Sequence, residues 1–225
     1  MKRKGSAPEY YLGIMSGTSA DGIDLALINT QASIPKLLEH SFVSFDKSIH
    51  DKITSLYTPS NNEIDRSFEL GILLAKAYAK AVTDFLANIN VSPSSIVAIG
   101  NHGQTVRHRP IKSAFNDERF TVQIGCHQTL ATLTGIRVIG DFRTKDIVYG
   151  GQGAPLVPAF HQALFPQREN DYFLENIGGI ANITFLPANE NQHVMGFDTG
   201  PGNALLDSWI QRHLQRQFDQ KGKWA

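Results

Sequence analysis

Cysteine is nearly absent from this chain. Cys126 stands alone among 225 residues. A single cysteine forms no internal disulfide, so a reducing, cytoplasmic setting is expected. Cys126 itself reads as a small core residue rather than a nucleophile. Long apolar runs are missing too. None approaches the roughly 20 residues that span a bilayer, so no membrane association is expected. Met1 to Lys4 is basic like the start of a signal peptide, but Gly5 to Tyr11 supplies no apolar stretch behind it. Net charge is also lacking: 21 Lys and Arg balance 21 Asp and Glu. That balance argues against nucleic acid or a membrane surface as a partner of the whole protein. A Walker-type Gly-x-x-x-x-Gly-Lys-Ser/Thr loop is absent as well.

What remains is a chain that is 41% hydrophobic and 19% charged. It can build one large core or two small ones, and global disorder is not expected. Two apolar runs, Tyr10 to Met15 and Leu25 to Ile28, flank a small polar turn. Gly permits positive φ, and short hydroxyls and carboxylates bond nearby backbone, so the stretch predicts strand, turn, strand. Such a turn offers N–H groups and hydroxyls to phosphate oxygens, and its carboxylates suit hydrated Mg²⁺. An ordinary hairpin is the plain reading of the same residues. A third strand is expected from Leu37 to Phe45, and a short helix from Ser48 to Tyr57.

Ile64, Phe68, Ile72, Ala75, Ala79, Val82, Leu86 and Ile89 trace one apolar stripe at helical period. Asn61 or Asn62 is the expected cap of this structural helix. Ile96 to Ile99 predicts a buried strand that runs into the polar cluster Gly100 to Thr105. Open α/β sheets place ligands at such strand ends. His102 and Gln104 are candidate binding residues there, while His108 and Arg109 read as a solvated basic loop. Strands are expected at Phe120–Ile124 and Ile136–Ile139, with a helix from Cys126 to Leu133 between them. Residues 141–155 hold Asp141, Arg143, Lys145, Asp146 and three glycines, a composition that fits an interdomain crossing or a cleft wall. A helix from Leu156 to Phe165 follows.

From Tyr172 the opening pattern appears again. Tyr172–Glu175 and Ile183–Leu186 read as strands around a turn at 176–182, and a third strand runs from His193 to Phe197. Pro201 suits the first position of a helix that would bury Leu205, Trp209, Leu214 and Phe218. The two meanders share architecture but not sequence identity. Two glycine-hydroxyl turns in two similar halves suggest a nucleotide held between domains. Gly17 to Ser19 would hold one part of its phosphate chain and Gly178–Gly179 another. Phosphoryl transfer asks for positioning and charge stabilisation, which donors, a metal and one base supply.

Six motifs, in order, resemble the anhydro-N-acetylmuramic acid kinase family: Met15-Ser-Gly-Thr-Ser-Ala-Asp-Gly-Ile-Asp24, His102-Gly-Gln-Thr105, Asp141-Phe-Arg143, Gly150-Gly-Gln-Gly-Ala-Pro-Leu-Val-Pro158, Asn176-Ile-Gly-Gly-Ile-Ala-Asn182 and Phe197-Asp-Thr-Gly-Pro-Gly-Asn203. The resemblance implies the α/β fold of sugar kinases, actin and Hsp70-type ATPases (ribonuclease H-like), with two similar domains around an ATP cleft. It divides the chain into an N-terminal domain, 1–140, and a crossing segment with the first part of a second domain, 141–225. The implied reaction is ATP-dependent phosphorylation of O6 of 1,6-anhydro-N-acetylmuramic acid, with water opening the anhydro bridge, in peptidoglycan recycling. ATP and Mg²⁺ are the implied cofactors, the anhydro sugar the small-molecule substrate, and a homodimer the implied assembly.

Carried over by motif, Gly17, Thr18, Ser19, Ala20, Asp21, Gly22, Ile23 and Asp24 take the ATP phosphates, joined by Gly178 and Gly179. Asp21 and Asp24 would hold the metal. Asp198 is the first choice of base, at a strand end beside a helix N-terminus that would lower its pKa, with Asp141 and Asp146 as alternatives. His102, Gln104, Asp141 and Arg143 are candidate contacts to the sugar. Position 20 is Ala where the family leads one to expect a larger aliphatic residue, a change read as turn-facing. The resemblance also places Ala225 in mid-protein, so that the adenosine-binding part of the second domain is expected to be missing and its sheet edges exposed. An incomplete, inactive sugar- or nucleotide-binding fragment is the competing reading, and a different ATPase of the same fold is a third.

Overall fold

In the computed structural model, the described residues are 9–112, 117–189 and 191–225. The basic start, Met1 to Lys4, lies outside them. The chain divides into two compact units, Met1–Gly153 and Ala154–Ala225.

The first unit is built on a mixed six-stranded sheet. β1 (Tyr10–Ser16), β2 (Gly22–Asn29) and β3 (Lys36–Ser44) form an antiparallel meander. β4 (Ile96–Arg109) lies parallel to β1 on its other side, and β5 (Phe120–Ile124) runs antiparallel to β4. The strand order is therefore β3-β2-β1-β4-β5, with the short β6 (Val138–Ile139) also pairing β4. Strict alternation on β1 buries Leu12, Ile14 and Ser16 on one face. α1 (Lys47–Thr54) starts at Asp46, whose carboxylate accepts from the Ile49 amide at 2.8 Å. α2 (Glu63–Asn88) then covers the sheet, burying Leu70, Leu74, Tyr78, Val82 and Phe85 against it. α3 (His127–Thr134) packs beside α2, its start tied down by the Cys126 amide bonding the Gly71 carbonyl at 3.0 Å. Cys126 is half-buried there, packed against the core, and serves as the cap residue of α3.

Several elements differ from the sequence reading. Asn62 sits at the cap position of α2 but in the left-handed region, and its side chain makes no cap bond. The stripe on α2 is buried only in its later part: Ile64, Phe68 and Ile72 are exposed. Helical period marks an amphipathic face without saying how much of it is covered. The largest difference is β4, which continues through Asn101, His102 and Gln104 to Arg109 instead of ending at Ile99. Gly103 takes φ +72°, and a Cβ there would strike the Ile124 carbonyl at 2.7 Å, so only glycine lets the strand bend at this point. The basic residues after it lie in the strand rather than in a loop, and Arg107 pairs with Glu63. β6 is shorter than the expected strand.

Residues 141–153 pack with the first unit. α4 (Thr144–Val148) buries Ile147, and the Gly153 amide donates to the Asp146 carboxylate at 2.7 Å. Division between the units thus falls near the end of the stretch read as a crossing.

The second unit begins with α5 (Val157–Leu164) and a three-stranded antiparallel meander, β7 (Tyr172–Ile177), β8 (Ile180–Leu186) and β9 (Met195–Pro201). α5 lies so close to β9 that a Cβ on Gly196 would meet the Pro158 ring. Pro201 closes β9 rather than opening a helix, and α6 (Ala204–Leu214) starts later. Leu205, Trp209, Leu214 and Phe218, expected in a core, are all exposed; Ile210 is the buried residue of α6. Amphipathic spacing made α6 a helix, but no described element covers that face.

Candidate active site

The turn between β1 and β2 is held from behind. Ser16 is buried, and its hydroxyl donates to Oε1 of Gln104. Nε2 of Gln104 donates to the Gly17 carbonyl at 3.0 Å and to the Tyr57 hydroxyl at 3.2 Å. Tyr57 in turn donates to the Thr18 carbonyl at 2.7 Å. Ala20 closes the turn by donating its amide to the Gly17 carbonyl at 3.1 Å. It is fully buried at φ +54°, so its side chain faces inward, not into the turn mouth. Thr18, Ser19, Asp21 and Asp24 face solvent. Gly22 is needed for packing, since a Cβ there would meet the Val43 carbonyl and the Phe42 ring. Ile23 is buried below.

Asp21 accepts from the Ser19 hydroxyl at 2.8 Å. Burial raises the Asp24 pKa, and the Asp21 charge raises it further, against a smaller opposing effect of His40. These two carboxylates are oxygen donors of the type a hard cation takes, though no group of three or more His, Cys, Asp or Glu among the described residues could hold a metal ion.

Gln104 is wholly buried and its amide is committed to the turn. His102 lies on the same strand. Its Nδ1 bonds the Gly103 carbonyl at 2.7 Å, which leaves Nε2 to accept from Arg143 Nε at 2.9 Å. Burial, then the Arg143 charge, push the His102 pKa down, outweighing the Gly103 bond. Arg143 also donates to the Gly153 carbonyl. Asp141 sits at φ +56° and accepts from the Thr144 amide at 3.3 Å. It lines a hollow with Thr121, Val122, Gln123, His127 and Thr144. His127 bonds Asn101, a fully buried residue, at 3.0 Å. Of the four candidate sugar contacts, then, Asp141 opens onto a hollow while His102, Gln104 and Arg143 are tied into internal bonds. Asp146, an alternative base, has its carboxylate on the Gly153 amide.

In the second unit, the Gly178–Gly179 turn is held by main chain. Asn203 donates its amide to the Gly178 carbonyl at 2.7 Å, while Gly202 and Ala204 donate to the Gly179 carbonyl at 3.0 and 3.2 Å. Two of the sequence motifs are thereby brought together. Asp198 lies within β9, exposed, opposite Asn182 on β8. It stands inside a strand that runs on to Pro201, not at the strand end beside a helix start that was expected. A hollow in this unit, lined by Gln162, Pro166, Arg168, Gln192 and Val194, contains neither Asp198 nor the turn.

Sequence reasoning missed Tyr57, Asn101 and His127. Tyr57 closes an unremarkable amphipathic segment, and nothing local ties it to the turn.

These units are α/β assemblies, each containing an antiparallel meander with a glycine-bearing turn. Solved structures of similar outline include an exopolyphosphatase-like protein (12% identity, TM-score 0.44, covering 94% of this chain and 55% of that one) and an Aquifex aeolicus Ppx/GppA family member (13%, 0.42, 90% and 54%). Such slight likenesses carry nothing about chemistry. Sequence comparison is specific: the chain belongs to the anhydro-N-acetylmuramic acid kinase family, whose model matches residues 9–225. That is a family of carbohydrate kinases. Relatives named anhydro-N-acetylmuramic acid kinase include those of Colwellia psychrerythraea, 57% identical over 96% of this chain, and Saccharophagus degradans, 50% identical over 97%. The chain spans 55% and 58% of those relatives' lengths. Among the described residues, no helix is long and apolar enough to cross a membrane.

Proposed function

We propose that this chain supplies the first phosphate turn and the base of an ATP-dependent kinase acting on 1,6-anhydro-N-acetylmuramic acid. In this reading O6 of the sugar receives the γ-phosphoryl group as the C1–O6 bond breaks. Water adds at C1 and gives up its proton, and the product is N-acetylmuramic acid 6-phosphate, an intermediate of cell-wall recycling. Family membership over residues 9–225 is the observation that carries the proposal.

Asp198 takes the proton from the attacking water. As an exposed carboxylate within a strand it is reachable, and an oxocarbenium-like carbon asks little of its base. Asp21 and Asp24 hold Mg²⁺, which when bound neutralises phosphate charge. Gly17 to Ser19 take phosphate oxygens, with Gly178 and Gly179 meeting another part of the phosphate chain. Asp141, on its hollow, is the best placed of the sugar contacts; His102 and Arg143 orient the wall beside it. A cytoplasmic homodimer completes the reading.

The test is incubation with MgATP and the anhydro sugar, with the 6-phosphate detected by mass spectrometry. It is run on this chain and on a version extended with the remaining sequence of the Colwellia relative. Product from the extended protein is expected, and Asp198→Asn in that protein should lower turnover by about 10²- to 10⁴-fold. Full activity in Asp198→Asn would remove Asp198 as the base. No product from the extended protein would sink the kinase reading.

A further inference from the structure

Two carbonyls of the first turn are both drawn inward, Gly17 to Gln104 and Thr18 to Tyr57. A trans peptide is planar, with its C=O and N–H pointing in opposite directions. The Gly17 carbonyl shares its peptide with the Thr18 amide, and the Thr18 carbonyl with the Ser19 amide. Drawing the carbonyls in therefore turns these two N–H groups away from Gln104 and Tyr57. Among the described hydrogen bonds, neither amide donates to the protein.

We infer that Tyr57 is a positioning residue of the phosphate turn, acting through the Thr18 carbonyl and the Gln104 amide to aim the Thr18 and Ser19 N–H groups at nucleotide phosphate. This rests on the proposal that the turn takes the phosphates of ATP. Tyr57 is well anchored for the task. Its own amide bonds the Thr54 carbonyl at 3.1 Å, and the preceding Leu56 and Ile53 are buried in the core. Arg107, from β4, donates to the Leu56 carbonyl at 3.2 Å. The phenol keeps its proton: burial, then the nearby Asp21 charge, push its pKa up to about 12. It remains a donor to Thr18 throughout the range in which a kinase works.

Tyr57→Phe removes the hydroxyl and leaves the ring. In the ¹⁵N-labelled chain it should move the Ser19 amide nitrogen resonance more than any resonance outside residues 16–21, Gln104 and the site of substitution. It should weaken MgATP and inorganic tripolyphosphate alike by about tenfold, the effect of one hydrogen bond. The urea midpoint should stay near that of the parent, whereas Tyr57→Ala, which also deletes the packed ring, should lower it. An unmoved Ser19 resonance overturns the inference, and so does a moved resonance with unchanged affinity. If the parent chain binds neither probe, the ATP-phosphate reading of this chain fails. The orienting role of Tyr57 is then decided by the Ser19 resonance alone.

Discussion

The two polar turns hold their carbonyls by different means. In the first, side chains from distant parts of the unit add to the local Ala20 amide: Gln104 on β4 and Tyr57 just beyond α1. In the second, main-chain amides of Gly202 to Ala204 do it, from the link between β9 and α6. A turn held by side chains is adjustable by substitution at positions far away in sequence. A turn held by backbone depends on how closely two stretches of chain can approach, and so on glycine. Among the glycines of the second motif pair, Gly202 is the one without room: a Cβ there would meet the Gly178 carbonyl, while a Cβ on Gly179 would meet nothing within 4 Å.

The largest expected effect comes from the side-chain-held turn. Gln104→Leu leaves the Ser16 hydroxyl, the Gly17 carbonyl and the Tyr57 hydroxyl without their shared partner in a buried place. It should cost about 3 kcal/mol in urea unfolding of the first unit; a loss near zero would show that water replaces the amide and that the turn is not built as described. Next is the backbone-held turn. Gly202→Ala should cost about 2 kcal/mol by overpacking, and Gly179→Ala should stay within about 0.5 kcal/mol. Equal effects at both glycines would erase the contrast.

A smaller effect separates the histidine wiring behind the first turn. The pKa of His102 is lowered by burial and by Arg143, and that of His127 by burial against the opposing charge of Asp141. Between the lowered pKa and the ordinary value of about 6.5, the unfolded chain binds protons that the folded one does not. Stability is therefore full above about pH 6.5 and falls as the pH drops through that value towards the folded pKa. Each histidine contributes a slope of at most about 1.4 kcal/mol per pH unit. His102→Gln should flatten the curve measured by urea unfolding at stepped pH. An unchanged slope would mean that His102 does not titrate differently on unfolding.

Both meanders and the long helix were legible because alternation and helical period are local signals. Leu12, Ile14 and Ser16 alternate on β1 as the strand period requires. Gly100 to Gln104 were illegible as strand, since a run of Gly, Asn, His and Gln reads as loop. Their burial is balanced by bonds to residues far away in sequence, such as Gln104 to Ser16, which no local pattern displays. For the same reason the turn itself was legible but Tyr57 was not. The exposure of Phe68 on α2 and Trp209 on α6 has another cause. Periodicity names the apolar face of a helix, while its cover belongs to other elements.

The lone thiol has a practical consequence. Cys126 caps α3, with its thiol accepting from the Thr129 amide at 3.4 Å, and bonding to Thr129 draws its pKa below the ordinary thiol value. Thiolates alkylate and thiols scarcely do, so a maleimide would attach at this one known point with no competing cysteine to blur the signal. Because the cap itself favours the thiolate, the labelling rate would report whether the bond to Thr129 at the start of α3 is formed.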